Sequence, residues 1–155
     1  MRLEYFDMID RVAELDADRG TIRAIARLPE VSPVFQGHFP GFPTLPGVMM
    51  LEMINHAAGY ILIYRTNAAK FVFLGGVKRA KFRRFVRPGN TGVIEARIIH
   101  DGSGYAVAQG SLRIDDELAA EAEITMVITD FPAPGLREAF ENMLKRAQMP
   151  TTASA

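Results

Sequence analysis

An almost unbroken apolar run extends from Val48 to Tyr64. Its exceptions, Glu52, Asn55, His56 and Gly59, fall at i, i+3, i+4 and i+7, so they form one polar stripe down a helix that is otherwise buried on most sides. Beyond the run the period shortens. "KFVFLGGVKRAKFRRFV", "GVIEARIIH", "GYAVAQGSLRID" and "ELAAEAEITMVITD" alternate or are rich in β-formers, and Pro88-Gly89-Asn90, Asp101-Gly102-Ser103-Gly104 and Asp115-Asp116 punctuate them. Turns this short join antiparallel strands, since parallel ones need long crossovers. Upstream, "TIRAIARL" (21–28) predicts a first strand. "YFDMIDRVAEL" (5–15), with Phe6, Ile9 and Val12 at helical intervals, predicts a short opening helix. "GLREAFENMLKRAQ" predicts an amphipathic C-terminal helix over about 135–147, with Leu136, Phe140, Met143, Leu144 and Ala147 on one side. The predicted class is α+β: one antiparallel sheet against one long central helix, a single domain over 1–150, then a disordered tail at 151–155.

Composition narrows the functional classes. A chain of 155 residues, 48% hydrophobic, is long enough for a substantial core, and zero formal net charge gives no global attraction to nucleic acid. The absence of cysteine excludes disulfide and thiolate chemistry and fits a reducing cytoplasm. The first twenty residues are too acidic and too broken for a signal peptide. Residues 45–63 have the length of a membrane span, but Glu52, Asn55, His56 and the Pro46-Gly47 opening favour a buried helix, so no span is expected.

The segment before the helix, "GHFPGFPTLPG", places His38 among Gly37, Pro40, Gly41, Pro43 and Pro46, which leave little backbone freedom. Pro46 suits the first helical position, where its missing N–H is no loss. A rigidly placed imidazole is suited to catalysis, although a loop histidine more often has a purely structural role. The Glu52, Asn55 and His56 stripe has the same two readings, a satisfied polar seam or a reacting face.

Taken together, "FQGHFPGFPTLPGVMMLEMINHAAG" (35–59) resembles the active-site segment of the (3R)-3-hydroxyacyl-acyl carrier protein dehydratases, the FabZ family of the hotdog fold. The likeness lies in "GHFPG", "PGV", the glutamate fourteen positions after the histidine, and "AAG". It continues in "KFRRFVRPGN" and in the opening "YFDMIDRV", and covers roughly residues 4–130. The resemblance implies a sheet wrapped round a long helix, and a homodimer whose site lies between subunits, His38 meeting Glu52 of the other copy. Whether dimers assemble further, as a trimer of dimers, is left open. His38 would take the C2 proton of a 3-hydroxyacyl thioester, and Glu52 would protonate or position the departing hydroxyl. Backbone donors at Gly47 and Val48 would receive the developing charge on the thioester oxygen. No cofactor is implied.

Position 56 departs from the family, which commonly has glutamine there. His56, with Asn55, would support Glu52. Glu52-x-x-x-His56 is also a chelating spacing, but nothing else supplies a ligand set, so no metal is expected. The FabA-type relative usually carries aspartate at the Glu52 position. A hotdog thioesterase is the competing enzyme, disfavoured by the loop histidine. A non-catalytic acyl-carrier binder is the competing class, disfavoured by the presence of both His38 and Glu52.

"KRAKFRRFVR" holds Lys78, Arg79, Lys81, Arg83, Arg84 and Arg87 with no acid between them. A solvated strand edge explains such a run. In the dehydratase reading it docks the acidic acyl carrier protein that bears the 3-hydroxyacyl chain.

Overall fold

The computed structural model describes residues 1–149, so the expected tail at 151–155 lies outside the described residues. The chain forms six strands: β1 (Arg11–Asp16), β2 (Thr21–Arg27), β3 (Phe71–Phe82), β4 (Thr91–Gly102), β5 (Tyr105–Ile114) and β6 (Glu117–Thr129). Three α-helices accompany them: α1 (Pro33–Gly37), α2 (Gly47–Arg65) and α3 (Leu136–Arg146). The sheet runs β1-β2-β4-β5-β6-β3, and every pairing is antiparallel, as the short turns require. The β4–β5 and β5–β6 hairpins close through Ser103-Gly104 and Asp115-Asp116, each with positive φ at both residues, the turn geometry that matches strand twist.

Helix α2 lies across β2 to β6, and its residues from Ala57 to Ile63 are all buried. Strand residues with small side chains admit it: Ala24, Ala26, Ala106, Ala108 and Ala122 are buried against it or beside it in the core. The helix begins one residue later than expected. Pro46 caps it instead of opening it, and the Pro46 carbonyl accepts from the N–H groups of Met49 and Met50 at 2.9 and 3.2 Å. At the far end the Thr66 hydroxyl donates back to the Leu62 and Ile63 carbonyls. Arg65 ties that end to the β1–β2 turn, donating to the carbonyls of Ala17 and Asp18 and pairing with Asp101 on β4.

The opening helix is not formed. Leu3–Tyr5 make one 3-10 turn, Phe6 closes it with φ 54°, and the chain then pairs as β1 along β2. The apolar spacing of three that suggested a helix also suits this path, because Leu3, Met8, Ile9 and Val12 still reach the core. The sheet's free edge along β2 outweighs the weak local preference. The segment 21–28 is accordingly the second strand, with Ile22, Ala24, Ala26 and Leu28 inward.

Helix α3 forms as expected and packs Phe140 against Phe71 and Phe131, with ring centroids 5.2 and 5.6 Å away. Just after it, Ala147 is buried and its carbonyl accepts from the Val12 N–H. The helix therefore ties the N-terminal strand to the start of β3. Among the described residues no helix is long and apolar enough to cross a membrane.

Candidate functional site

His38 ends α1. That helix went unread in the sequence, although Ser32 followed by Pro33 is a capping signature: the Ser32 hydroxyl accepts from the Val34 N–H at 3.3 Å. The His38-Phe39 peptide bond is cis, and the two rings stack with centroids 4.0 Å apart. The loop is pinned on both sides of the imidazole. The Thr44 N–H donates to the His38 carbonyl at 2.8 Å, Phe39 and Phe42 exchange backbone bonds, and the Thr44 hydroxyl and Leu45 N–H both donate to the Val86 carbonyl. The glycine and proline framework thus fixes the histidine through backbone bonds, as its composition implied.

His38 lines a cavity of about 340 Å³ with Thr44, Gly47, Met50, Phe82 and Phe85. Gly47 lines it too, and a Cβ there would crowd the Phe82 ring at 3.1 to 3.3 Å. The first-turn N–H groups of Gly47 and Val48 have no partner within the helix, and they sit at the positive end of its dipole. Gly47 lines the cavity, whereas Val48 does not and its side chain is exposed. A larger hollow, about 630 Å³, lies on the sheet around Glu14, Arg23, Glu95 and Arg97, remote from this loop. Its charges already pair within the chain, Arg23 with both Glu14 and Glu95.

The polar stripe on α2 comes together as its spacing predicted. Glu52 has two polar neighbours on its own helix: Asn55 Nδ2 donates to Oε2 at 3.1 Å, and His56 Nε2 lies 3.1 Å from Oε1. Asn55 Oδ1 and His56 Nδ1 are buried with no partner. Each orphaned acceptor costs about 1–3 kcal/mol, so the arrangement is not the one that packing alone selects. One turn further on, Tyr60 is buried; burial, and then the Asp7 carboxylate, push its hydroxyl above the usual phenol range, so it remains a neutral side chain.

Within one protomer His38 and Glu52 are not joined. The His38 cavity meets α2 on the face of Gly47 and Met50. At 3.6 residues per turn, Glu52 stands about 200° round the helix from Met50, on the opposite side. Each protomer therefore presents the histidine on one face of α2 and the carboxylate on the other.

The basic stretch has no acid within it, but part of its charge is paired across the sheet. β3 is an edge strand, and acids of its inner neighbour β6 pair with cations on it and just beyond it: Lys78 with Glu123, Arg83 with Glu121 and Arg84 with Glu117. Hydrogen bonds from Arg83 to Glu121, and from Lys78 then Gln109 to Glu123, hold both carboxyls below their ordinary range. Arg87 sits 4.5 Å over the Phe42 ring, beside the histidine loop. Among the described residues Arg79 and Lys81 form no ion pair, so the patch is smaller than its sequence suggested. The edge also exposes Phe73, Val77 and Phe82, which sequence reading did not single out, although their presence on an edge strand is a signal for pairing.

Comparison with known proteins bears on the family and the fold. The model of the FabA-like domain matches residues 2–123. The FabZ 3-hydroxyacyl-[acyl-carrier-protein] dehydratase of Thiobacillus denitrificans is 33% identical over 131 residues, covering 82% of this chain and 90% of the relative. That of Symbiobacterium thermophilum is 35% identical over 130 residues, covering 83% and 91%. Among solved structures, a phenylacetic acid degradation-related protein of Ralstonia eutropha, described as a thioesterase, superposes with a TM-score of 0.60 at 17% identity, covering 75% of this chain and 82% of that one. Likeness at that distance shows the hotdog fold and says nothing of the reaction. With the family model spanning most of the sequence and relatives about one-third identical along its length, the chain belongs to the FabA-like family, alongside the FabZ dehydratases.

Proposed function

We propose that the protein is a (3R)-3-hydroxyacyl-[acyl-carrier-protein] dehydratase of fatty-acid or specialised lipid synthesis, working in the cytoplasm as a homodimer. The observation that carries this reading is the pairing of a backbone-pinned His38 beside the Gly47 donor with a carboxylate, Glu52, on the opposite face of the same helix. Removing water from a 3-hydroxyacyl thioester takes a proton from C2 and expels the C3 hydroxyl. His38 accepts the C2 proton through its neutral imidazole. The N–H groups of Gly47 and Val48 stabilise the charge that gathers on the thioester oxygen. Glu52 delivers a proton to the departing hydroxyl, which leaves as water with its bonding electrons, and the trans-2-enoyl chain remains on its carrier.

Two copies complete the site. The unpaired edge of β3, with Phe73, Val77 and Phe82 exposed, lets the sheets of two protomers join, and brings Glu52 of one toward His38 of the other. The FabZ relatives carry the acyl-carrier substrate in their names. The test is mass spectrometry of 3-hydroxyacyl-carrier substrates over a range of chain lengths. Loss of one water, abolished by Glu52→Gln, is the expected result. Free acid would mean a thioesterase, and intact substrate at every length would point to a binder.

Carrier docking falls to Arg79 and Lys81, which face Glu123 and Glu121 across the sheet without forming a close ion pair among the described residues. Reversing both to glutamate is expected to raise KM for carrier-bound substrate about tenfold while leaving a small thioester analogue nearly unchanged. Reversal at Arg83 or Arg84 is a poorer probe, because it also breaks their ion pairs with Glu121 and Glu117. An equal effect on both substrates would refute docking at this edge.

A further inference from the structure

Gly59 stands buried in the interior of α2, yet the backbone there does not call for a glycine. Its φ is not positive. Among the described residues, the one atom beyond its own helix that a Cβ would meet within 4 Å is the Met126 methyl on β6, at 3.3 Å. Gly110 is different, since a Cβ there would strike Ile54 Cγ2 at 2.5 Å and the Glu95 carbonyl oxygen at 3.0 Å. Glycine is the poorest residue for a helix interior after proline, so alanine would hold α2 better. What position 59 supplies is space.

That space lies on the face that carries Glu52. Gly59 follows the glutamate by seven residues, about 20° round the helix and about 10 Å along it. In the other direction the same face ends at Val48, which is 71% exposed. An apolar tail leaving the C3 carbon at Glu52 therefore gains burial by running toward Gly59 rather than toward Val48. There it meets Met126, a buried, unbranched side chain whose thioether end changes rotamer with little loss of packing. We propose that Gly59 and Met126 form an adjustable stop for the acyl chain. The missing side chain gives the tail room, and the Met126 methyl fills that room in its absence. The inference rests on the dehydratase reading and deepens it, because it names the substrates as 3-hydroxyacyl chains long enough to reach two turns past Glu52.

The test is a comparison of chain lengths. Gly59→Ala is expected to lower kcat/KM for a sixteen-carbon 3-hydroxyacyl-carrier substrate about twentyfold, and for a four-carbon one less than about twofold, with Tm level or higher. Met126→Leu has a similar volume but lacks the reaching methyl. Added to Gly59→Ala, it is expected to return the long-chain rate to within about fourfold of wild type. Rates in Gly59→Ala that fall in parallel at both lengths, or do not fall, would overturn the proposal, as would a wild type that turns over the four-carbon substrate alone. A wild type that dehydrates neither substrate would refute the dehydratase reading alone. Binding of cis-parinaric acid, an eighteen-carbon fluorescent fatty acid, then judges the stop without turnover. Affinity about tenfold weaker in Gly59→Ala than in wild type supports it, and equal affinity overturns it.

Discussion

Mixing dissociated His38→Ala and Glu52→Gln proteins and letting them reassociate is expected to restore dehydration to about a quarter of the wild-type rate, from two parents that each fall by about a thousandfold or more. The loss in each parent follows from the chemistry: without a base the C2 proton stays, and without an acid hydroxide must leave unaided. The recovery follows from the helix. Because the His38 cavity meets α2 at Gly47 and Met50 while Glu52 stands on the other side, a site made between protomers takes one group from each. Random reassortment makes about half of the dimers mixed, and each mixed dimer holds one site with both defects and one with neither. The measurement is the rate after reassociation, alongside native mass spectrometry to count mixed dimers. Mixed dimers without activity would mean that both groups act within one protomer.

Gly110→Val is expected to destabilise the protein by about 3 kcal/mol, lowering Tm by roughly 10 °C. β5 passes closest to α2 at this residue. A Cβ there would fall 2.5 Å from Ile54 Cγ2 and 3.0 Å from the Glu95 carbonyl oxygen. Ile54 is fully buried, and the carbonyl belongs to the neighbouring strand, so neither has room to retreat. Ile54→Ala should relieve part of the strain in the Gly110→Val protein, so the double variant will be more stable than the sum of the single losses. The check is thermal and urea unfolding of all three variants. A Tm for Gly110→Val within about 2 °C of wild type would show that the helix can shift, and that the close approach does not fix its position.

How much of this was legible in the sequence depended on how local each signal was. The α2 run and its stripe could be read because burial and hydrogen bonding both repeat at helical spacing within a few residues, as Glu52, Asn55 and His56 do. The strands after it could be read from their turns. The segment at 5–15 could not, because Ile9 and Val12 are buried on either path, Phe6 is left exposed, and the choice is made by pairing with β2, which local pattern does not contain. The charge of β3 was misjudged for a similar reason: Glu117, Glu121 and Glu123 neutralise cations more than thirty positions away, through sheet register alone. The loop histidine could be picked out, but its separation from Glu52 needed the contact with Gly47 and Met50 to reveal which face of α2 it uses.

That separation has an evolutionary corollary. A gene copied once would yield two chains free to decay in different halves: one can lose its loop histidine, the other its helix carboxylate, and the mixed pair still owns one whole reaction centre. Such a pair is then bound to stay together, since neither chain can work with its own kind. If two copies share one reaction centre in the way proposed, the placing of His38 and Glu52 on two faces of α2 makes the passage from homodimer to obligate heterodimer short, and makes it hard to reverse.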